Sequence, residues 1–141
     1  MHNKHYTGFE YEPLDFILKF NLNFVEGSFL KYITRCERKG EAFKDLDKAN
    51  FYYRGETGGN QYTMDVIKSR RDDKKFRFEL FEYCNVNELK DWQNEALFNF
   101  FTRNFTETDR ALHKGKQSLR EFKKHIEACE RLTFPNRLDS N

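Results

Sequence analysis

The stretch Asn23–Tyr53, N-F-V-E-G-S-F-L-K-Y-I-T-R-C-E-R-K-G-E-A-F-K-D-L-D-K-A-N-F-Y-Y, decides the fold class. Asn23, with Glu26 three residues on, is a capping-box signature, so a helix starts here. It runs to about Lys39, and Gly40 supplies the left-handed residue that ends many helices. Val25, Phe29, Tyr32, Ile33 and Cys36 fall on one face. Lys31, Arg35 and Arg38 fall on the opposite face. A second helix spans about Ala42 to Arg54, with Ala42, Leu46, Ala49 and Tyr53 as its buried stripe, Phe43 at the edge and Gly55 as its stop. Two amphipathic helices joined by a tight turn make a helical hairpin.

Outward from this hairpin the chain stays mainly helical. Residues 1–10 read as an extended arm. Pro13 suits the first turn of a short helix from Leu14 to Phe20, and Asn21-Leu22-Asn23 breaks it. Residues 56–83 are ambiguous. Tyr62, Met64 and Val66 alternate with polar residues, as do Phe76, Phe78 and Leu80, which suits a β-hairpin around 62–80. The alternation fails at Leu80-Phe81, and a helix near Phe76–Tyr83 fits equally well. From Asp91 a broad apolar face returns at Trp92, Ala96, Leu97, Phe100 and Phe101. Ser118 with Glu121 marks the start of a last helix carrying Leu119, Phe122, Ile126 and Cys129, stopped by Pro135. His125 lies at the edge of that stripe. Phe24–Arg35 aligns without gaps against Trp92–Arg103, so residues 91–134 are either a degenerate copy of the first hairpin or a chance likeness between Phe-rich helices.

The expected fold is therefore a single mainly α domain, a compact bundle of about five helices with a short β-hairpin insertion as one option. Its core is aromatic, drawn from Phe29, Ile33, Leu46, Tyr53, Trp92, Phe100, Phe101, Phe122 and Ile126. At 141 residues, with 16 Phe and 7 Tyr, the chain can bury such a core without metal or disulfide staples.

Composition excludes more than it identifies. Net charge is +2, which steers no particular partner. The charge is patterned, however: Lys68–Arg77 carries six basic against two acidic residues, Arg110–Arg131 seven against three, and Phe78–Asp109 the reverse, seven acidic against two basic. Nucleic-acid binding is not indicated by this balance. The 3 cysteines, Cys36, Cys84 and Cys129, lack CxxC spacing and read as free thiols of a reducing compartment. The N-terminus lacks a signal-peptide core, and no run is long and apolar enough to span a bilayer, so a cytoplasmic protein is expected.

Catalytic signatures are missing. Gly55–Asn60 has glycines but not the Gly-Lys-Ser/Thr ending of a phosphate-binding loop, and there is no HExxH or Gly-x-Ser-x-Gly. Asp45 and Asp47 point to different helix faces. The best candidate is the basic stripe of Lys31, Arg35 and Arg38 with Lys39. It is either an ordinary solvated face or a place where an anion offsets like-charge repulsion; guanidinium groups bind phosphate in a bidentate way.

The residues His5-Tyr6, Pro13-Leu14-Asp15, Phe24, Gly27, Lys31-Tyr32, Arg35, Lys39-Gly40, Asp45-Leu46, Lys48-Ala49 and Tyr52 or Tyr53 carry a resemblance. Over Tyr11–Tyr53 the chain resembles a small domain family of tailed-phage proteins, described as nucleotide-kinase-like or of unknown function. Ser28 departs from it, since many members carry Asn there. The resemblance implies a phage-encoded protein of the host cytoplasm that binds a nucleotide, with Lys31, Arg35, Lys39 and Lys48 on the phosphates. Asp45 would hold Mg²⁺, and His5 would close over the ligand. Whether it is an enzyme stays open. A second expectation, from another class, is a non-enzymatic phage factor that binds a host protein of defence or replication through its aromatics and charged patches. A homo-oligomer is compatible with either.

Overall fold

The computed structural model describes residues 8–38, 41–55 and 61–133. Seven helices follow one another among them: α1 (Pro13–Lys19), α2 (Phe24–Arg35), α3 (Ala42–Arg54), α4 (Gln61–Asp65), α5 (Lys74–Val86), α6 (Asp91–Phe101) and α7 (Phe105–Thr133). No strand occurs among the described residues. The mainly helical class is as expected. The five-helix count and the hairpin around 62–80 are corrected.

Local chemistry explains several of the starts and stops. Pro13 opens α1. Asn23 caps α2: its side chain accepts from Glu26 N at 2.9 Å, and Glu26 Oε1 accepts from Asn23 N at 3.1 Å. Gly55 ends α3 with φ +80°, a conformation that glycine adopts without strain. The α2 helix is shorter than its sequence suggests, because residues 36–38 form a turn. The Gly40 stop, the 56–60 loop and the residues from 134 on lie outside the described residues.

The region read as ambiguous resolves for a physical reason. Asp73 accepts from Phe76 N at 3.0 Å and so caps α5. Within that helix Phe76, Leu80, Tyr83 and Cys84 are buried at spacings of four, three and one, while Phe78 faces solvent. The short-range alternation of Phe76, Phe78 and Leu80 was a by-product of a helical period.

Two helical hairpins form the body. The α2 and α3 helices pack along their lengths, as do α6 and α7, and α2 meets α6 while α3 meets α7. At the centre the Phe29 and Phe100 rings stack at 3.9 Å and 8°. Tyr53 and Phe101 meet Phe100 edge-on, at 5.9 and 5.0 Å. The α1 and α5 helices add a second aromatic layer, in which Phe16 contacts Phe76 at 5.4 Å and Tyr83 at 5.1 Å.

Seven of the nine expected core residues are buried. The exceptions are Phe122 and Ile126, which are 63% and 42% exposed. Here the sequence reading is corrected twice. The last helix starts at Phe105, not Ser118, and it outruns the body. Leu119 is its last buried residue; every described residue beyond it is exposed.

Two polar devices join the parts. Buried Glu26 accepts from Lys68 N at 3.0 Å and from Arg70 Nη1 at 3.2 Å, which fixes the chain after α4 to the start of α2. Buried Asn87 accepts from Tyr11 N at 3.0 Å and donates to Tyr11 O at 2.8 Å, which holds the N-terminal segment as a strand partner would.

Candidate functional site

The expected site residues divide between two places. Phe24, Ser28, Lys31 and Arg35 lie in one row of α2, at spacings of four, three and four, with Tyr32 beside them. On α3, Asp45, Lys48 and Tyr52 form a second row at spacings of three and four, next to Phe51. Because the two helices pack side by side, the rows meet. The Tyr32 and Tyr52 rings are parallel within 5° with centroids 6.0 Å apart. Lys31 Nζ lies 4.8 Å from the Tyr32 ring centroid, and Lys48 Nζ, from the other helix, lies 5.2 Å from the same ring. Phe24, 75% exposed, meets Tyr52 edge-on at 5.4 Å, and Phe51 meets Tyr52 at the same distance.

Thus Lys31 and Lys48, from different helices, each place a cation over the same half-buried aromatic ring. Among the described residues no carboxylate lies within ion-pair distance of either lysine. Arg35 stands one turn from Lys31. Its Nε is buried and has no hydrogen-bond acceptor. A buried donor without a partner costs free energy unless something supplies an acceptor.

Arg38 is elsewhere. Its guanidinium donates to Gly8 O at 2.8 Å and to Asn87 O at 2.5 Å, and lies 4.9 Å from the Phe9 ring centroid. It ties the N-terminal segment to the turn between α5 and α6. Its head is thus turned away from the Lys31–Lys48 face. Lys39 and His5 lie outside the described residues.

Asp45, the expected metal ligand, is buried. Its charge, together with burial as the larger cause, holds the Cys36 thiol well above the usual cysteine range. No group of three or more His, Cys, Asp or Glu side chains that could hold a metal ion occurs among the described residues.

The described cavities lie away from this face. One of 330 Å³ sits between α5 and α6, lined by Phe81, Cys84, Asn94 and Phe98 among others. Another lies between α3 and α7, under Asn50, Asp109 and His113. The Lys31–Lys48 face is an open aromatic surface with cations at its rim.

Residues 1–54 match a family model described as a protein of unknown function (DUF3310). This is the segment that carries the resemblance read from the sequence, and Phe24, Lys31, Tyr32, Arg35, Lys48 and Tyr52 all fall inside it. No curated protein and no solved structure matches the chain. No helix among the described residues is long and apolar enough to cross a membrane.

Sequence reasoning named Lys31, Arg35 and Lys48 but missed the aromatic half of this face. Tyr32 reads as a core position on the α2 wheel, and Tyr52 as one of two interchangeable tyrosines. The row from Phe24 to Arg35 was the available signal: an exposed aromatic in line with two cations is unusual for a plain solvated face.

Proposed function

We propose that the α2–α3 face binds a nucleotide. The base would stack on the aromatic surface of exposed Phe24 and half-buried Tyr32 and Tyr52, and the phosphates would take Lys31, Lys48 and Arg35. One observation carries this reading: two lysines from different helices stand over a single tyrosine ring with no described acidic partner. Their mutual repulsion is offset when an anion bridges them. Stacking on aromatic rings suits any base and favours affinity over base selectivity. Arg35, one turn from Lys31, adds guanidinium donors to the same phosphate. Mg²⁺ would arrive as the counter-ion of the phosphates, keeping several of its waters, rather than sit in a protein cage. Phosphoryl transfer would need this binding first and a further group at the transferred phosphate.

The test is a thermal-shift panel of nucleoside mono- and triphosphates with Mg²⁺. A rise in Tm with a nucleotide, absent in Tyr32→Leu, is the expected result. No shift with any nucleotide, or an equal shift in the variant, removes the proposal.

A second reading has its own support. Phe78 and Phe81 are exposed on α5, and exposed aromatics suit the centre of a protein interface. Under this reading the chain binds a partner protein there, and the double variant Phe78→Ser/Phe81→Ser would release a captured partner while leaving any nucleotide response intact.

A further inference from the structure

We propose that the protein forms an antiparallel dimer through the free half of α7, whose apolar seam takes the same segment of a second copy. This is independent of the nucleotide reading and shares no residue with it.

The α7 seam runs through Phe105, Thr108, Leu112, Gly115, Leu119, Phe122, Ile126, Cys129 and Thr133. Its spacings alternate between three and four, the repeat of helices that pack against helices. The first half is covered by this chain's own body. Gly115 lies so close to Trp92 that an added Cβ would come within 2.4 Å of the indole ring, and Leu112 and Leu119 are buried. Beyond Leu119 the helix projects about 20 Å, and the same seam continues uncovered through Phe122 and Ile126.

The form of the seam indicates its occupant. Over Phe122 and Ile126 it is a narrow line, flanked by Lys123 and Glu130 on one side and by Ser118 and His125 on the other, and exposed Leu132 widens it near the end. Helices that lie in a membrane surface carry a broad apolar face; a narrow line with one charged border suits another helix.

Direction follows from sterics. Below Leu119 the seam faces Trp92 and the rest of the body, so a parallel second helix placed on it would run into that body. An antiparallel one runs clear.

Register follows from charge. With Ile126 opposite Cys129 of the second copy, and Phe122 opposite Thr133, Lys123 faces Glu130 of the second copy, and symmetry repeats the pair. Moving the helices one heptad closer would set Lys123 against Lys123 and drive the incoming helix end into the Gly115–Trp92 contact. Among the described residues Lys123 makes a long approach to the Phe43 ring, at 5.9 Å, and it is exposed. The interface is isologous, so one patch serves both copies. It is also small, below the ~1,200 Å² of stable complexes, so the dimer forms as concentration rises.

The experiment is sedimentation equilibrium of the full chain from micromolar to millimolar concentration. The expected weight-average mass rises from 17.1 kDa toward twice that value. Ile126→Lys, at an exposed position, keeps the wild-type circular dichroism spectrum and stays monomeric. Lys123→Glu weakens association about tenfold, and Lys123→Glu/Glu130→Lys restores it. A monomeric mass throughout overturns the proposal, as does a charge reversal that the double variant fails to rescue. So does a monomer that instead co-sediments with phosphatidylserine vesicles and loses that binding in Ile126→Lys.

Discussion

Glu26 is a buried residue on which several separate segments depend. Its two carboxylate oxygens serve the Asn23 backbone, the Lys68 backbone and the Arg70 guanidinium. Arg70 N in turn donates to Phe101 O at 2.7 Å, so the carboxylate links α2, the α4–α5 connection and the end of α6. Removing one partner of a buried ion pair leaves the other charge uncompensated. Glu26→Ala should therefore cost about 3 kcal/mol or more, read as a lower urea midpoint. A loss below about 1 kcal/mol would show that water replaces the carboxylate freely. The thiols give a second test at this scale. Burial holds Cys84 up to about 12, and burial with Asp45 raises Cys36, whereas Cys129 is exposed. Raised values leave both buried thiols protonated near neutral pH, and thiolate is the reactive form. A thiol reagent at pH 8 and low protein concentration should modify Cys129 alone, and Cys36 and Cys84 only after denaturation. Rapid modification of all three in the native state would contradict the burial.

Among the elements, α6 and α7 make the closest approach. Gly115 lets α7 sit directly on the Trp92 indole, and Trp92 cannot turn aside easily because its Nε1 donates to Glu37 Oε2 at 2.8 Å. Gly115→Ala raises helix propensity by up to ~1 kcal/mol, but the added methyl must displace the indole, at a typical cost of about 1–3 kcal/mol. We expect net destabilisation, measured by denaturant unfolding; a stabilised variant would mean the helices can part without loss. How far each element was legible in the sequence follows the same physics. The α2 helix was legible because its cap is local: Asn23 and Glu26 need only each other. The start of α7 was not, because Ser118 and Glu121 form an equally good local signature within a helix that is already running. Phe122 and Ile126 were misread as core because their spacing continues that of Leu112, Gly115 and Leu119, and periodicity does not tell where the covering body ends. In the candidate site Lys31 and Arg35 were legible as part of a stripe on one helix, whereas Lys48, on the next helix, came only with the resemblance. The Tyr32–Tyr52 pairing was not, because it depends on how α2 and α3 are rotated against each other.

At the scale of the molecule, the two hairpins leave the α2–α3 seam open on one side and the far half of α7 free on another. The family match ends at residue 54, one residue past the second site helix's last buried tyrosine, so the face proposed to bind a nucleotide lies wholly inside the matched segment and the free half of α7 wholly outside it. The two proposals can therefore succeed or fail separately. The central claim, that Lys31 and Lys48 together hold a phosphate over Tyr32, is tested most directly by calorimetric titration of a nucleoside triphosphate with Mg²⁺ into the wild-type chain and into Lys31→Ala/Lys48→Ala. Lys48 is exposed and Lys31 half-buried, and neither makes an ion pair among the described residues, so the variant should keep its fold and its Tm. Saturable heat in the wild type, lost in the variant, is the predicted result. Silence in both, or undiminished heat in the variant, would contradict it.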